Sequence, residues 1–211
     1  MIRSSKKRSR RPGPSGTQDI PQRILDSAEY LFAAQGFAAT SVREIAERVD
    51  VNAAMVHYYF GSKRKLLEAV MERVLTPLAS AIEDLEQQER LEFKDLAGLI
   101  FAMAGDHPYL PQLMTREVFL PGGGLQQEFL DHFAPRLGGR LPAMLKREQQ
   151  AGRIAPEHDP RIMTLLILSA CLFPFIARPV AESALGMNYD SAGLEKLLAH
   201  VTVLVEQGFG K

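Results

Sequence analysis

Polar, aromatic and basic side chains follow one another closely between residues 41 and 65. Asn52 precedes the run His57-Tyr58-Tyr59, and the run Lys63-Arg64-Lys65 comes next. Amide, imidazole, phenol and cationic groups hydrogen-bond to phosphates and to base edges in nucleic-acid complexes. Cations in the first turn of a helix oppose the helix dipole, so we expect a phosphate partner for the basic run.

Two short helices joined by a tight turn are needed to position these side chains. Ser41 followed by Glu44 is a capping-box pattern that starts the first helix. Asp50 tolerates the left-handed conformation of a sharp turn, and Asn52 is a good N-cap for a second helix over residues 53–60. The apolar stripe of the first helix comprises Val42, Ile45, Ala46 and Val49.

A third helix is predicted to follow directly, because Gly61 ends the second helix and Ser62 can cap the next. This helix is apolar on one side as far as Leu85, and Pro77 could kink it. Two helices packed across a turn place the second one in the major groove of DNA. The segment therefore predicts a helix-turn-helix domain with a long helix leading out of it.

Residues 20–70 resemble the DNA-binding domain of the TetR family of bacterial regulators. The resemblance is carried by residues 23–32, residues 35–41 and the helix-turn-helix itself, and it extends to the rest of the chain in outline. The family usually has Gly where Asp50 stands, and polar base-reading residues where Ala53 and Ala54 stand. By the resemblance, Thr40, Tyr59 and Lys63 match positions that contact the DNA backbone.

Direct base contacts are expected from the start of the second helix and from Tyr58. Ala53 and Ala54 offer only methyl contacts, so we expect DNA shape and the N-terminal arm to contribute much of the selectivity. Tyr59 is equally compatible with core packing, and His57 with an exposed surface position. The candidate DNA-binding residues are Arg8, Arg10, Arg11, Thr40, Ser41, Asn52, Ala53, Ala54, His57, Tyr58, Tyr59 and Lys63.

The net charge of zero conceals a basic arm at the N-terminus. Residues 1–11 hold six of the 25 basic residues and no acidic one, which leaves 19 bases against 25 acids elsewhere. With the Pro- and Gly-rich residues 12–16 after it, the arm is expected to be disordered in the free protein. A solubilising tail is one interpretation. Beside a helix-turn-helix, contact with phosphates or the minor groove is favoured.

Composition limits the class of protein. The 211 residues are 46% hydrophobic, and no uncharged apolar run reaches the 18 residues of a membrane span. No apolar signal core follows the basic arm, so a cytoplasmic protein without a membrane partner is expected. Cys171 is the single cysteine, which excludes an intramolecular disulfide.

The fold class predicted is all-α, with an N-terminal three-helix helix-turn-helix domain and a C-terminal helical bundle domain for ligand binding and dimerisation. The expected division is a basic arm over residues 1–18, the helix-turn-helix domain over 19–67 and the C-terminal domain over 68–211. Two segments near the end are apolar over a wide arc, which favours a subunit interface. The TetR resemblance implies a homodimer through the last two long helices, about 161–180 and 192–208, and a palindromic site on double-stranded DNA.

A ligand pocket is expected among the middle helices, where Met and Phe are dense and a few polar residues are interspersed. Most of these side chains should be ordinary core. Arg116-Glu117 either anchors a ligand by a buried charge or forms a structural ion pair. The candidate ligand-binding residues are Phe101, Met103, His107, Met114, Arg116, Glu117, Phe133 and Phe175.

Signatures of enzymes are poor. Residues 122–124 are three glycines without the Lys and Ser/Thr of a phosphate loop. The histidines have no metal-ligand spacing, and Cys171 lies in an apolar run that favours an inert buried thiol. We expect no catalytic site, no metal and no cofactor.

Together these features predict a DNA-binding transcription regulator that responds to a ligand. The resemblance implies a repressor that leaves its operator when a small apolar or amphipathic effector moves the long linking helix. One alternative is a helical small-molecule-binding protein or enzyme whose N-terminal domain does not read DNA. Another is a non-specific nucleoid-type binder driven by the arm.

Overall fold

The computed structural model describes residues 20–209, in which every extended element of secondary structure is a helix and no β-strand is present. The all-α prediction is confirmed. The helices are α1 Ile20–Gln35, α2 Val42–Arg48, α3 Ala53–Phe60, α4 Lys63–Glu86, α5 Phe93–Asp106, α6 Leu110–Met114, α7 Gln126–Glu128, α8 Leu141–Gln150, α9 Pro160–Ile176, α10 Arg178–Leu185 and α11 Ser191–Phe209.

Local signals set the boundaries of the N-terminal domain, which comprises α1 to α3 and the first turns of α4. Gly36 ends α1 with a φ of +92°, and Asp50 adopts a φ of +55° in the turn between α2 and α3. The capping box of Ser41 and Glu44 is present, and α3 has the predicted bounds, with Gly61 at its C-cap. The core of the domain contains Ile24, Ala28, Phe32, Ile45, Ala46, Val56, Leu66 and Leu67.

Helix α4 runs without a break from the N-terminal domain into the C-terminal domain, which comprises the rest of α4 and α5 to α11. Its first turns bury Leu66 and Leu67, and its later turns bury Leu75, Ile82 and Leu85. Pro77 lies inside the helix. The domain boundary expected at residue 67 falls within this helix, so no linker marks it.

Two single π-helical turns interrupt the middle of the C-terminal domain. Helix α6 continues directly into the first, Thr115–Phe119, and α7 continues into the second, Phe129–Phe133. A π-helical turn has one extra residue, and such turns occur frequently at functional sites. A 3₁₀ turn, Gly138–Arg140, then leads into α8.

The apolar segment near residues 161–180 is not one helix. The chain bends by 69° between α9 and α10, at Ala177. The expected dimerisation segment therefore spans α9 and only the start of α10. Within the described residues no single helix is long and apolar enough to cross a membrane, although α9 and α10 together satisfy the length and composition of a bent span.

Candidate DNA-binding surface and effector cavity

Helix α3 presents a narrow outer face. Val56 is buried, and Tyr59 and Phe60 are half-buried and pack on the core. Tyr58 is 79% exposed and is held edge-on against the ring of Tyr59, with 5.1 Å between ring centroids. Tyr59 therefore supports the position of Tyr58, which places a phenol on the outer face.

His57 is oriented by the end of its own helix. Its Nδ1 lies 3.0 Å from the carbonyl oxygen of Gly61. Because a carbonyl oxygen can only accept, this hydrogen bond requires the proton on Nδ1. The neutral ring then has Nε2 as its free acceptor, and the protonated ring has Nε2 as a donor suited to phosphate.

The polar residues that begin α2 and α3 fix their backbones. The Ser41 hydroxyl accepts the Glu44 amide at 3.1 Å, and the Glu44 carboxylate accepts the Ser41 amide at 2.7 Å. The hydrogen bond from the Ser41 backbone is the main reason that the pKa of Glu44 is lowered. The Asn52 side chain accepts the Ala54 amide at 2.9 Å. Ser41 and Asn52 remain exposed beside the outer face of α3.

Thr40 and Lys63, which are expected to contact phosphates, also form hydrogen bonds within the protein. Thr40 is only 1% exposed, and its hydroxyl donates to the carbonyl of Gly36 at 2.8 Å. The Lys63 ammonium donates to the carbonyls of Phe37 and Thr40, both at 2.8 Å, and lies over the Phe37 ring. The cation at the start of α4 therefore ties that helix to the α1–α2 loop.

Arg64, in the same basic run, also has partners within the protein. Its guanidinium donates to Glu68 at 2.8 Å, to Glu128 at 2.7 Å and to the carbonyl of Gly124. The two carboxylates raise its pKa. Arg64 thus joins the two domains. Arg8, Arg10 and Arg11 lie outside the described residues.

A cavity of about 490 Å³ lies in the C-terminal domain. Helices α4, α5 and α9 form most of its wall, and the segment from α6 to the 3₁₀ turn completes it. Apolar residues dominate the lining: Leu75, Leu78, Ile82, Ile100, Met103, Leu110, Pro111, Met114, Phe119, Phe129, Ala134, Pro135, Leu137, Leu165, Leu168, Leu172 and Ile176.

The polar side chains in this lining already have partners. Thr164 donates its hydroxyl to the carbonyl of Pro160 at 2.8 Å. Arg161 donates to the Asp159 carboxylate at 2.7 and 3.1 Å, and this hydrogen bonding lowers the pKa of Asp159 to about 2. The cavity therefore favours a ligand with few hydrogen-bonding groups.

Two of the eight candidate ligand residues, Met103 and Met114, line this cavity. The aromatic candidates do not: Phe101 packs edge-on against Phe175, with 5.0 Å between centroids, and Phe133 is buried outside the lining. His107 is also placed elsewhere, because its Nδ1 lies 3.1 Å from the buried carboxylate of Glu29. The structure therefore places these four residues outside the lining of this cavity, and aromatic density in the sequence does not distinguish core from cavity wall.

Arg116 and Glu117 are neither cavity residues nor a pair with each other. The Arg116 guanidinium donates to the carbonyl of Ala33 at 3.1 Å. The Glu117 carboxylate accepts the amides of Phe37 at 3.0 Å and Gly124 at 3.1 Å. The two residues therefore do not form the ion pair that was one of the two expectations, and both bind backbone groups instead.

The residues that sequence reasoning missed are mainly aliphatic. On α9 they recur at Leu165, Leu168, Leu172 and Ile176, one stripe at helical spacing. The stripe was visible in the sequence, but it does not show whether it faces another helix or empty space. Leu75, Leu78 and Ile82 on α4 belong to the same missed group.

Other chemistry is limited in the described chain. Residues 20–209 contain no group of three His, Cys, Asp or Glu side chains placed to hold a metal ion. Cys171 is buried, and burial raises the pKa of its thiol to about 11. A thiol with so high a pKa is protonated at neutral pH and therefore unreactive.

Two family models match the chain. The model of bacterial regulatory proteins of the tetR family matches residues 24–70, and the tetracyclin repressor-like C-terminal domain matches residues 90–205. The chain belongs to the TetR family. It is a ligand-responsive DNA-binding transcription regulator, and the enzyme alternative is excluded because the matching families and relatives are regulators.

Several TetR-family relatives extend over most of the chain. The HTH-type transcriptional repressor Rv3405c of Mycobacterium tuberculosis is 34% identical over 143 residues, which cover 64% of this chain and 70% of that protein. The regulator RutR of Escherichia coli is 26% identical and covers 88% of each chain. The putative regulator SCO4942 of Streptomyces coelicolor has a TM-score of 0.66 at 26% identity, covering 89% of this chain and 97% of that one.

The ketosteroid regulator KstR2 of Mycobacterium tuberculosis shares the fold, with a TM-score of 0.76 at 14% identity. The superposition covers 93% of this chain and 97% of that one. At this identity the likeness concerns the fold alone. The fold of this chain therefore also occurs in a regulator of quite different sequence.

Proposed function

We propose that the protein is a homodimeric repressor that releases a palindromic operator when an uncharged apolar effector fills the cavity. The observation that carries this proposal is the continuity of α4. The same helix contributes Leu75, Leu78 and Ile82 to the cavity wall and Leu66 and Leu67 to the core of the N-terminal domain. An effector that displaces the cavity wall therefore displaces the support of α3.

The lining argues for an uncharged effector. Only Arg161 carries a charge there, and Asp159 neutralises it. A charged ligand would lose its hydration without gaining a partner, which is costly. Among solved relatives, the repressor SmeT has been crystallised with triclosan, and SmeT shares the fold with a TM-score of 0.62. That complex supports a small-molecule effector for this fold.

A dimer is favoured by the apolar outer faces of α9 and α11. Ile162, Leu166 and Phe173 are exposed on α9, and Val203 and Leu204 on α11. These two helices pack side by side, so the exposed side chains belong to one surface. Monomeric proteins rarely expose large contiguous apolar patches. A second copy would cover the surface and place two α3 helices about 34–36 Å apart on a palindrome.

For DNA contact we propose the exposed residues around α3 and the basic arm. Tyr58 and His57 supply polar contacts, and Ala53 and Ala54 allow the helix to approach the DNA closely. Ser41 adds a hydroxyl group and Asn52 an amide group. Because base readers are few, DNA shape contributes to selectivity. The proposed set is Arg8, Arg10, Arg11, Ser41, Asn52, Ala53, Ala54, His57, Tyr58 and Tyr59.

The effector site is tested with two fluorescent probes that differ by one sulfonate. N-phenylnaphthylamine is uncharged, and anilinonaphthalene sulfonate is its anionic analogue. We expect the uncharged probe to bind at least about tenfold more tightly, the equivalent of burying one poorly partnered charge at about 1.4 kcal/mol. Leu78→Trp, which fills the cavity, should abolish binding, whereas Thr76→Trp on the exposed side of α4 should not. Equal binding by both variants would exclude the cavity.

DNA recognition is tested by selecting bound sequences from random DNA with the full chain. An operator reader is expected to select a palindrome, and deletion of residues 1–11 should preserve that preference at lower affinity with a shallower salt dependence. Tyr58→Phe should weaken binding to the selected site more than to random DNA. If deletion of the arm abolished all binding, the non-specific alternative would be correct.

A further inference from the structure

We infer that Glu117, with Arg116, is a positioning residue that couples the cavity to the N-terminal domain through the α1–α2 loop, a second route beside the cavity-lining turns of α4. This inference rests on the effector response proposed above. We call the contacts of Arg116 and Glu117 with the α1–α2 loop the junction latch. The latch consists of the Arg116 bond to the Ala33 carbonyl and the Glu117 bond to the Phe37 amide.

The latch is well defined in geometry. Glu117 is 6% exposed, and each of its carboxylate oxygens accepts one backbone amide, from Phe37 at 3.0 Å and from Gly124 at 3.1 Å. The Arg116 side chain lies against Gly36, where an added Cβ would be 3.3 Å from its Cδ. A side chain at position 36 would therefore crowd the latch.

The latch adjoins the cavity through the first π-helical turn. Arg116 and Glu117 lie in Thr115–Phe119, and the cavity-lining residues Met114 and Phe119 flank them on either side. A ligand that displaces Met114 or Phe119 must move the backbone that carries Arg116 and Glu117.

On the other side, the latch reaches the start of α4 and hence the end of α3. Phe37 donates its amide to Glu117 and accepts the Lys63 ammonium at its carbonyl, at 2.8 Å. Lys63 follows α3 after only Gly61 and Ser62. A continuous set of contacts therefore runs from the cavity wall through Glu117 and Phe37 to the DNA-binding helix.

The buried Glu117 carboxylate favours two states, one with both amide hydrogen bonds formed and one with both broken. Loss of one amide partner would leave a charged oxygen unsatisfied in a buried site, which is strongly unfavourable. Partial displacement of Glu117 is therefore disfavoured relative to full release into solvent. Two discrete arrangements of this kind are what coupling between distant sites requires.

The test compares Glu117→Gln with Glu148→Gln in the full chain. Glu148 is the control because it is 2% exposed and accepts the Leu91 amide at 3.1 Å within the C-terminal domain, where it also pairs with Arg153 and is therefore the more disruptive of the two substitutions. For each protein, affinity for the operator selected from random DNA is measured with and without saturating N-phenylnaphthylamine. The ratio of the two dissociation constants is the coupling factor, and probe affinity is measured separately.

The wild type is expected to show a coupling factor of about 5 to 150. Glu117→Gln should bind the probe within about twofold of the wild type, but its coupling factor should fall below about 3. Glu148→Gln should keep the wild-type factor even if its melting temperature falls equally. Arg116→Ala, which removes a largely exposed side chain, should lower the factor partially and provides a second variant if Glu117→Gln does not fold.

Two outcomes would overturn the proposed role of the latch. The first is a wild-type coupling factor in both Glu117→Gln and Arg116→Ala. The second is an equal fall of the coupling factor in Glu148→Gln, which would indicate a general loosening of the protein. A wild type that binds the probe without any change in DNA affinity would overturn the proposed effector response, and the latch with it. Retained coupling in the variants, by contrast, leaves the proposed function intact.

Discussion

The two domains differ in how their helices begin. In the N-terminal domain, α2, α3 and α4 each start with a side chain that accepts a hydrogen bond from a backbone amide in the first turn. The accepting side chains are those of Ser41, Asn52 and Ser62. In the C-terminal domain, α5, α6, α8 and α10 start without such a hydrogen bond, and only α9 and α11 have one, accepted by the side chains of Asp159 and Asp190. The first domain is therefore specified by local hydrogen bonds, and the second depends on packing between distant segments.

The interiors of the two domains also differ in how closely they are packed. The N-terminal core contains fully buried side chains such as Phe32, Ile45 and Leu66, whereas the C-terminal domain holds a cavity of about 490 Å³ and two π-helical turns. Close-packed interiors transmit strain, while cavity walls can move without losing contacts. The difference indicates a rigid DNA-binding unit attached to a deformable sensor.

The largest effect is expected from the same truncation made in the two interiors. Leu66→Ala in the N-terminal core should lower the free energy of unfolding by about 2–5 kcal/mol. Leu168→Ala in the cavity wall should lower it by less than about 2 kcal/mol, because that side chain already lacks packing partners on one side. Urea denaturation of both variants measures the difference, and equal losses would mean that the cavity wall is as tightly packed as the core.

A smaller effect is expected at the helix starts. Asn52→Ala should cost about 1 kcal/mol, since the Ala54 amide loses its acceptor. Glu92→Ala, at the start of α5 where no side-chain cap exists, should change stability by less than about 0.5 kcal/mol. Hydrogen exchange at Ala54 and at the first turn of α5 localises each effect. A comparable loss at residue 92 would remove the contrast between the domains.

The smallest effect is expected on stability at low pH, through protonation of Asp159. The pKa of Asp159 is about 2 in the folded protein, below its ordinary value of 3.8, because Arg161 donates to the carboxylate. The stabilisation is therefore fully present above pH 3.8 and is lost as the pH falls towards 2. NMR titration of the carboxyl should show this low value, and Arg161→Ala should return it towards 3.8. An unchanged pKa in that variant would exclude Arg161 as the cause.

Most of the N-terminal domain could be predicted from the sequence. The capping box, the bounds of α3 and the left-handed Asp50 all depend on atoms within four residues of each other. The roles of Thr40 and Lys63 could not be predicted, because Lys63 finds its carbonyl partners 23 and 26 residues away. A position that matches a DNA-contact site of the family can thus also make contacts within the protein.

The sequence predicted that a cavity exists among the middle helices, but not most of the residues that line it. Met103 and Met114 were among the expected residues, but the aliphatic stripe of α9 was not. An apolar helix face shows that a side chain avoids water, and it does not show what lies opposite. The partners of Glu117 likewise come from the loop 80 residues earlier and from Gly124.

The amino-acid sequence by itself determined the all-helical class, the helix-turn-helix and the TetR resemblance, because caps, glycines and apolar spacing act over a few residues. Only the tertiary structure decided which apolar side chains surround empty space, that the chain bends at Ala177, and that Arg116 and Glu117 bind the α1–α2 loop. A cavity and an interdomain contact exist only after distant helices have packed, so their residues carry no local signal.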